Sequence, residues 1–323
     1  MAILVYTENW DGKFKKLSFE LVSYAAELAK IFNTSVSALS IGNVENDELN
    51  KLGNYGATKI ITISDNKWQT LDNQAFTSAI ANVAEKEAAT VILFANNNIG
   101  KALAPRLSAK MKAGLVTGVI GVPLNINPFT ITKKTYTSKA IANIIIKTPI
   151  KVLTLMQNSF GIIEMPKSAV IENHTTEINV SDFKTQVTEV NKVKGKILLN
   201  DAEIVVSGGR GMKGPENWGL IEELAQLLGA ATACSRPVSD EGWRPHDEHT
   251  GQTGKIIAPN LYFAFGISGA IQHLGGVSSS KCIVAVNKDP DAPIFEAADY
   301  GIIGDVMKVL PELIASVKEF KAS

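Results

Sequence analysis

The stretch Leu261–Asn287, reading LYFAFGISGAIQHLGGVSSSKCIVAVN, constrains the fold more than any other part of the chain. It opens on an apolar run of strand length and composition, Leu261–Phe265. Gly266-Ile267-Ser268-Gly269 follows, then a helical reading over Ala270–Leu274 that Gly275-Gly276 should end. A second apolar strand, Cys282–Val286, stops at Asn287. Free N–H groups at such a helix start carry partial positive charge and suit a phosphate. Glycines let that backbone approach a ligand with no Cβ in the way. A bare GxxG is usually only a tight turn. This one carries Ser268, Gln272 and His273 between two apolar strands, where open α/β sheets bind ligands, so a cofactor site is expected.

The rest of the chain supports a sheet of that kind. Strand readings at Ile3–Tyr6, Ser35–Ile41, Lys59–Ile63 and Thr90–Phe94 alternate with helical ones at Ser18–Phe32, Glu45–Leu52, Asn73–Glu87 and Ile99–Lys112, the last with Pro105 kinking its early turns. Alternation implies parallel strands with right-handed crossovers. After Gly114 the pattern changes. Ile141–Ile146, Lys151–Leu155 and Gly161–Glu164 read as antiparallel strands completing the first sheet, with turns at Thr148-Pro149 and Asn158-Ser159. Pro166–Lys196 reads as an edge segment plus linker, which puts a domain boundary near Val190–Lys194 and gives domains of residues 1–190 and 191–323. The second domain alternates again: Ile204–Ser207, helix Asn217–Leu228, Thr232–Cys234, a weak strand at Ile256–Ile257, the opening stretch, Tyr300–Ile303, and a closing helix Asp305–Phe320. That helix should bury Val306, Val309, Leu310, Leu313, Val317 and Phe320, although Pro311 interrupts its period.

Composition excludes several classes. With 32 basic and 32 acidic residues the formal net charge is zero, which argues against a nucleic-acid groove or polybasic membrane surface. No apolar run reaches the roughly 18–20 residues of a membrane helix. The N-terminus enters a strand directly, without the pattern of a signal peptide, so a cytoplasmic location is expected. Cys234 and Cys282 form no metal-spaced motif or disulfide framework, and the four histidines show no zinc spacing.

The residues that follow each strand of the second domain carry the chemistry. They are Ser207–Gly211 with Arg210, Ser235-Arg236, Gly266–His273, Asn287–Asp289 and Gly304-Asp305. If the sheet is parallel, all five groups lie along one rim. Two arginines suit a pyrophosphate, and Asn287 and Asp305 suit ribose or adenine. Gly209–Gly214 is also formally GxGxxG after a strand, with an arginine near the second strand, so an NADPH-dependent oxidoreductase stands as an alternative. Lys213-Gly214-Pro215 interrupts the helix start which that motif needs.

Leu261-Tyr262, Gly266–Gly269, Ile271-Gln272-His273, Gly276 and Ala285-Val286-Asn287 together resemble the C-terminal signature of the large (alpha) subunit of electron-transfer flavoproteins. Ser207–Gly211, Ser235-Arg236-Pro237, Gly251–Lys255 and Asp299-Tyr300-Gly301 match the same family in order, so the similarity covers Ala202–Phe320. It is weaker over residues 1–190, where Gly100-Lys101 and Pro105-Arg106 match best. The resemblance implies an α/β chain of two domains. The first is a mostly parallel sheet of the nucleotide alpha-hydrolase-like kind, assembling with a beta subunit. The second is a doubly wound, flavodoxin-like or deoxyhypusine-synthase-like domain that holds FAD. FAD-contacting positions match at Arg210, Ser235, Arg236, Thr250, Gly251, Gln252, Thr253, Ser268, Gly269, Ala270, Ile271, Gln272, His273, Asn287 and Asp305. Arg236, His273 and Thr253 would tune the flavin, and no residue is catalytic in the bond-making sense. Arg244, His246 and His249 depart from the family and add positive or titratable groups beside the flavin loop. The family implies one FAD per heterodimer, with AMP or a second FAD in the partner, acyl-CoA dehydrogenases as donors and a quinone oxidoreductase as acceptor. Other classes remain open: a subunit of a bifurcating complex that oxidises NADH, the NADPH enzyme, and a cofactor-free scaffold.

Overall fold

The computed structural model describes residues 2–136, 140–176, 183–185, 187–189, 197–200 and 202–322. The chain divides into two compact units, residues 1–191 and 192–323. The expected boundary at Val190–Lys194 lies outside the described residues.

Unit 1 begins with β1 (Ala2–Tyr6), a hairpin of β2 (Asn9–Trp10) and β3 (Lys13–Phe14), α1 (Lys16–Phe32) and β4 (Ser35–Ile41). It continues through α2 (Asn46–Asn50), β5 (Lys59–Ile63), α3 (Asn73–Lys86), β6 (Ala89–Ala95) and α4 (Asn98–Met111). Then come β7 (Gly114–Val119), β8 (Asn125–Ile126), β9 (Phe129–Thr135), β10 (Ala140–Ile146), β11 (Lys151–Leu155) and β12 (Val170–Asn173). The sheet order is β10-β9-β7-β11-β6-β1-β4-β5-β12, with β8 on β9. Alternate residues of the central strands feed opposite layers. Ile3, Val5, Val91 and Leu93 pack with Leu21, Ala25 and Leu28 of α1. Leu4, Tyr6, Ile92 and Phe94 pack with Phe76, Ile80 and Val83 of α3 and Leu103 and Leu107 of α4. Strands buried on both faces read as continuous apolar runs, which is why these were legible.

Unit 1 corrects three expectations. Of the three strands expected to be antiparallel, only Ile141–Ile146 is, as β10 paired to β9, which also runs antiparallel to β7 and β8. β11 is instead an inner strand, parallel to β6 and β7, so Thr148-Pro149 leads into a parallel strand and not a hairpin. Gly161–Glu164 is not a strand; the edge position goes to β12, parallel to β5. The helical reading of Ile99–Lys112 holds, with Pro105 inside α4. At the opposite edge β10 pairs only with β9 among the described residues, and its Ile141 and Ile145 stay exposed.

Unit 2 contains β13 (Ile204–Gly208), α5 (Gly219–Leu228), β14 (Ala231–Cys234), α6 (Arg236–Asp240), β15 (Leu261–Phe265), α7 (Ile271–Val277), β16 (Cys282–Asn287), α8 (Ile294–Ala297), β17 (Tyr300–Ile303) and α9 (Val306–Ala322). Its five strands run β14-β13-β15-β16-β17 and are all parallel, the doubly wound order of flavodoxin-like sheets. Leu224 of α5 and Leu310 and Ile314 of α9 cover one face. Val277 of α7 and Ile294 of α8 cover the other. Ile256–Ile257 is not a strand, and Phe320 is 80% exposed, not buried. Gly275-Gly276 does not end α7 but lies inside it. A Cβ on Gly276 would sit 2.4 Å from Gly251 Cα, so the glycine serves a close crossing and not a helix stop.

Candidate functional site

Because all the strands of unit 2 are parallel, their C-terminal ends share one rim. The order reverses between β13 and β15, and open α/β sheets take ligands at that reversal. The loops leaving these two strands touch. Gly209 N–H donates to the Phe265 carbonyl at 2.8 Å and Gly211 N–H to that of Gly266 at 3.0 Å. A Cβ on Gly211 would lie 2.5 Å from Gly266 Cα, so the two backbones meet only because both are glycine. Gly209–Gly214 therefore does not form a dinucleotide turn. Arg210–Met212 is a single 3-10 turn, and the first α-helix waits until Gly219. The NADPH reading loses its structural premise.

The turn before α7 is held from beneath. Asn287 Nδ2 donates to the Ile267 carbonyl at 2.9 Å, and its Oδ1 accepts from Asp289 N–H at 3.0 Å. Ile294 N–H donates to the Ser268 carbonyl at 3.0 Å. Gly269, at φ +84°, faces Ile294, whose nitrogen a Cβ would meet at 2.3 Å. The N–H groups of Ser268, Ala270, Ile271 and Gln272 donate to no acceptor among the described residues. These four residues are exposed.

A second loop rests on α7. Thr250 donates to the Cys234 carbonyl through its N–H at 3.0 Å and Oγ1 at 3.3 Å. Gln252 N–H donates to the Gln272 carbonyl at 2.7 Å. Gly251, at φ +149°, passes over Gly276, while the side chains of Gln252 and Thr253 are exposed. Ser235 is buried, its N–H bonded to the Gly208 carbonyl at 3.1 Å, where it starts α6. Arg236 is exposed and meets Asp240 through Nε alone, at 3.2 Å. Arg210 is exposed and has no side-chain partner among the described residues. Lys213, outside the sequence expectations, pairs with Asp305 at 2.9 Å; Asp305 also accepts from Met307 N–H at 3.0 Å and so opens α9. That lysine is the main cause of its lowered carboxyl pKa.

The buried chemistry beneath the rim is neutral. His273 faces inward, its Nε2 2.9 Å from the Tyr262 hydroxyl. Burial pushes its pKa down to about 4, against a weaker upward pull from the Thr250 backbone. Burial raises Tyr262 and lifts the Cys234 thiol to about 12, so both keep their protons. His249 is lowered by burial, then by His246 and Arg236. Arg244 adds no free charge beside the loop: Glu248 takes it through two hydrogen bonds of 2.8 and 2.7 Å, Glu222 through a third of 2.8 Å, and its guanidinium lies over the Trp218 ring.

The fold thus brings the five expected groups to one rim and divides their work. Asn287, Asp305, Gly269 and His273 are spent on supporting the turns, while Arg210, Arg236, Gln252, Thr253, Ser268, Ala270, Ile271 and Gln272 are exposed. Sequence reading passed over Tyr262 and Lys213. The first lies inside an apolar run that reads as core, and the second inside a turn, so only the three-dimensional pairing reveals them. Among the described residues no group of acids, histidines and cysteines could hold a metal, and no helix is long and apolar enough to cross a membrane. A polar depression in unit 1 between Lys13, Glu45, Glu48 and Lys51 is a surface ion cluster, with Glu48 paired to both lysines.

The residues present fit FAD: unused amides and an unpaired guanidinium meet a diphosphate's need for donors. Residues 198–278 match the electron transfer flavoprotein FAD-binding domain, which supports a flavin cofactor, and residues 3–181 match the electron transfer flavoprotein domain. The electron transfer flavoprotein subunit alpha of Thermoanaerobacterium thermosaccharolyticum is 37% identical, over 99% of this chain and 98% of its own. The same subunit of Bacillus subtilis is 35% identical, over 98% and 97%. An acryloyl-CoA reductase electron transfer subunit beta of Anaerotignum propionicum is 33% identical, over 99% and 96%. With its doubly wound second unit, its exposed donor row and similarity along nearly its whole length, the chain belongs to the electron transfer flavoprotein alpha-subunit family.

Proposed function

We propose that this chain holds one FAD in unit 2, pairs with a smaller beta subunit, and carries electrons in the cytoplasm from acyl-CoA-type dehydrogenases to a quinone-linked acceptor. The observation that carries the reading is the row of amides at Ser268, Ala270, Ile271 and Gln272, which no described acceptor uses, on a rim that also bears Arg210 and Arg236. Those amides and Arg210 would hold the diphosphate. Arg236, Ser235 and Thr250–Thr253 would meet the isoalloxazine, and the Asn287 and Asp305 ends of the rim the adenosine. Bound FAD supplies the redox chemistry. The chain's own residues bind, orient and set the charge. Arg236 offers a planar, delocalised cation. His273, Tyr262 and Cys234 are buried with their protonation fixed near neutral pH, so no rim group is poised to make or break a substrate bond. Among the described residues of unit 1 there is no comparable cluster, and that unit serves assembly; AMP or a second FAD belongs to the partner.

Absorption spectra of the chain co-purified with its beta subunit test this. One FAD per heterodimer, with reduced retention in Arg210→Ala, is the expected result; a colourless heterodimer would overturn it. The Anaerotignum relative favours a second reading, in which electrons run toward acyl-CoA reduction in a bifurcating complex that oxidises NADH. Two flavins per heterodimer and bleaching by NADH would select that reading.

A further inference from the structure

The loop that presents Gln252 and Thr253 on the rim is backed by a histidine ring. Its backbone closes on itself. Lys255 N–H donates to the His249 carbonyl at 2.9 Å, Gly251 N–H to that of Lys255 at 3.2 Å, and Gly254 N–H to that of Gly251 at 3.1 Å. His249 is 3% exposed, and the two glycines of the loop border its ring. A Cβ on Gly254 would lie 2.8 Å from its Nδ1 and 2.9 Å from its Cγ, and one on Gly251 would lie 3.5 Å from its Nε2. A side chain at 254 would therefore displace either the ring or the loop. On its other side the loop meets α7, through the Gly251–Gly276 crossing and the Gln252 N–H bond to the Gln272 carbonyl.

This place suits an uncharged ring. Nδ1 is buried and has no hydrogen-bond partner among the described residues. In the imidazolium both nitrogens carry N–H, and the one at Nδ1 would be buried with no acceptor. The carboxylates nearby are already engaged: Asp240 of α6 by Arg236 at 3.2 Å, and Glu248 by Arg244 at 2.7 Å. The His246 ring is 5.4 Å away between centroids, and Lys255 adds a cation at the end of the loop. His273 of α7 and Cys234 of β14, whose carbonyl accepts from Thr250 N–H, are the other titratable neighbours, and both are neutral at pH 7. Burial, then His246 and Arg236, lower the His249 pKa, with Asp240 opposing more weakly.

We propose that His249 is a positioning residue for the cofactor site: its neutral ring holds the 250–254 loop closed against α7 with Gln252 and Thr253 on the rim, and its protonation releases that loop. The consequence for cofactor retention rests on the proposed FAD site; the loop geometry does not. The closed loop holds the ring's proton less tightly than an open loop, in which His249 titrates near the ordinary 6.5. Closure is therefore at full strength above about pH 6.5 and weakens as the pH falls below it.

The test follows amide hydrogen exchange in the full chain in complex with its beta subunit, expressed as protection factors so that the intrinsic pH dependence of exchange drops out. Between pH 7.5 and 5.5, protection at the Gly254 and Lys255 amides should fall about fivefold in the parent. His249→Gln is uncharged at both pH values, and its protection should be flat across them. FAD release from the loaded complex should follow the same two profiles. Flat protection in the parent, or the parent's slope in His249→Gln, would overturn the proposal even if flavin binds as proposed. Should that variant not assemble, nitrogen-15 shifts of the parent's His249 decide: the ring should be neutral at pH 7.5 and charge in step with the loss of protection, and a ring already charged at pH 7.5 would overturn the proposal. A complex that shows the parent profile at these amides but holds no flavin would instead overturn the FAD reading and leave the loop role standing.

Discussion

Asp72 is a single carboxylate with two jobs, and its removal has a magnitude that the structure supplies. Its Oδ1 accepts from the N–H groups of Gln74 and Ala75, both at 2.9 Å, and so caps α3. Its Oδ2 accepts from Lys184 N–H at 3.0 Å, Thr185 N–H at 2.9 Å and Thr185 Oγ1 at 2.7 Å. Nearby, Phe183 packs on Trp68, which packs on Phe76, with ring centroids 5.3 and 5.4 Å apart. Burial alone would raise the carboxyl pKa; the donors from Ala75, Thr185 and Lys184 outweigh it and bring it from 3.8 to about 2. That drop corresponds to roughly 2 kcal/mol of native-state stabilisation. The folded chain holds this proton less tightly than the unfolded one. The stabilisation is therefore complete above about pH 4 and is lost as pH falls through about 2. Asp72→Asn should cost roughly 2 kcal/mol at pH 7, a fall of about 1 M in the urea midpoint at a slope near 2 kcal/mol/M. Trp68 fluorescence reports the transition. The gap between parent and variant should narrow as pH drops from 4 toward 2. A gap of the same size at pH 7 and pH 3, or none at pH 7, would refute the reasoning.

Other outcomes follow from unit 2. Arg236→Ala should lower the flavin's one-electron potential by some tens of millivolts, on the order of what one fixed charge at partial exposure exerts, and Lys should restore part of it; potentiometry at full FAD occupancy decides this. Gly269→Val should lower the urea midpoint of unit 2 along with its flavin content, because the new Cβ meets Ile294 nitrogen at 2.3 Å whether or not a phosphate is present; flavin loss at an unchanged midpoint would contradict that. Stability should rise as pH climbs from about 4 to 6.5, because the unfolded His273 takes up a proton in that window and the buried ring does not; His273→Gln should flatten the slope in a pH series of urea melts.

The alternation of unit 2 was legible because each strand is apolar on both faces and each is followed by a polar or glycine break. β15, β5 and β17 match their sequence readings residue for residue. β11 was misread because a buried inner strand and a hairpin strand look alike over five residues; neighbours in space, not sequence, decide its direction. β7 and β9 were missed as strands, their runs broken by Gly118 and by lysines. The hairpin of β2 and β3 carries only a two-residue signal, Asp11-Gly12, both at positive φ. At the site, the sequence located the rim but not its internal economy. A polar residue after a strand reads the same whether it faces a ligand, as Arg210 does, or clamps a neighbouring turn, as Asn287 does.

The β10 edge, which among the described residues pairs only with β9, has a consequence for handling the protein. Residues 113–163 hold no acid and five lysines in a chain that is neutral overall. Without a partner, two copies can meet only by bringing like-charged ribbons together, and that repulsion is what keeps an unpaired isoleucine-bearing edge from zipping to another. Solubility of the lone subunit is therefore a colloidal balance. Added salt shortens the repulsion to a few ångströms while leaving the backbone's appetite for a neighbouring strand intact, so high-salt buffers should drive the isolated chain into oligomers that dilution into low salt disperses.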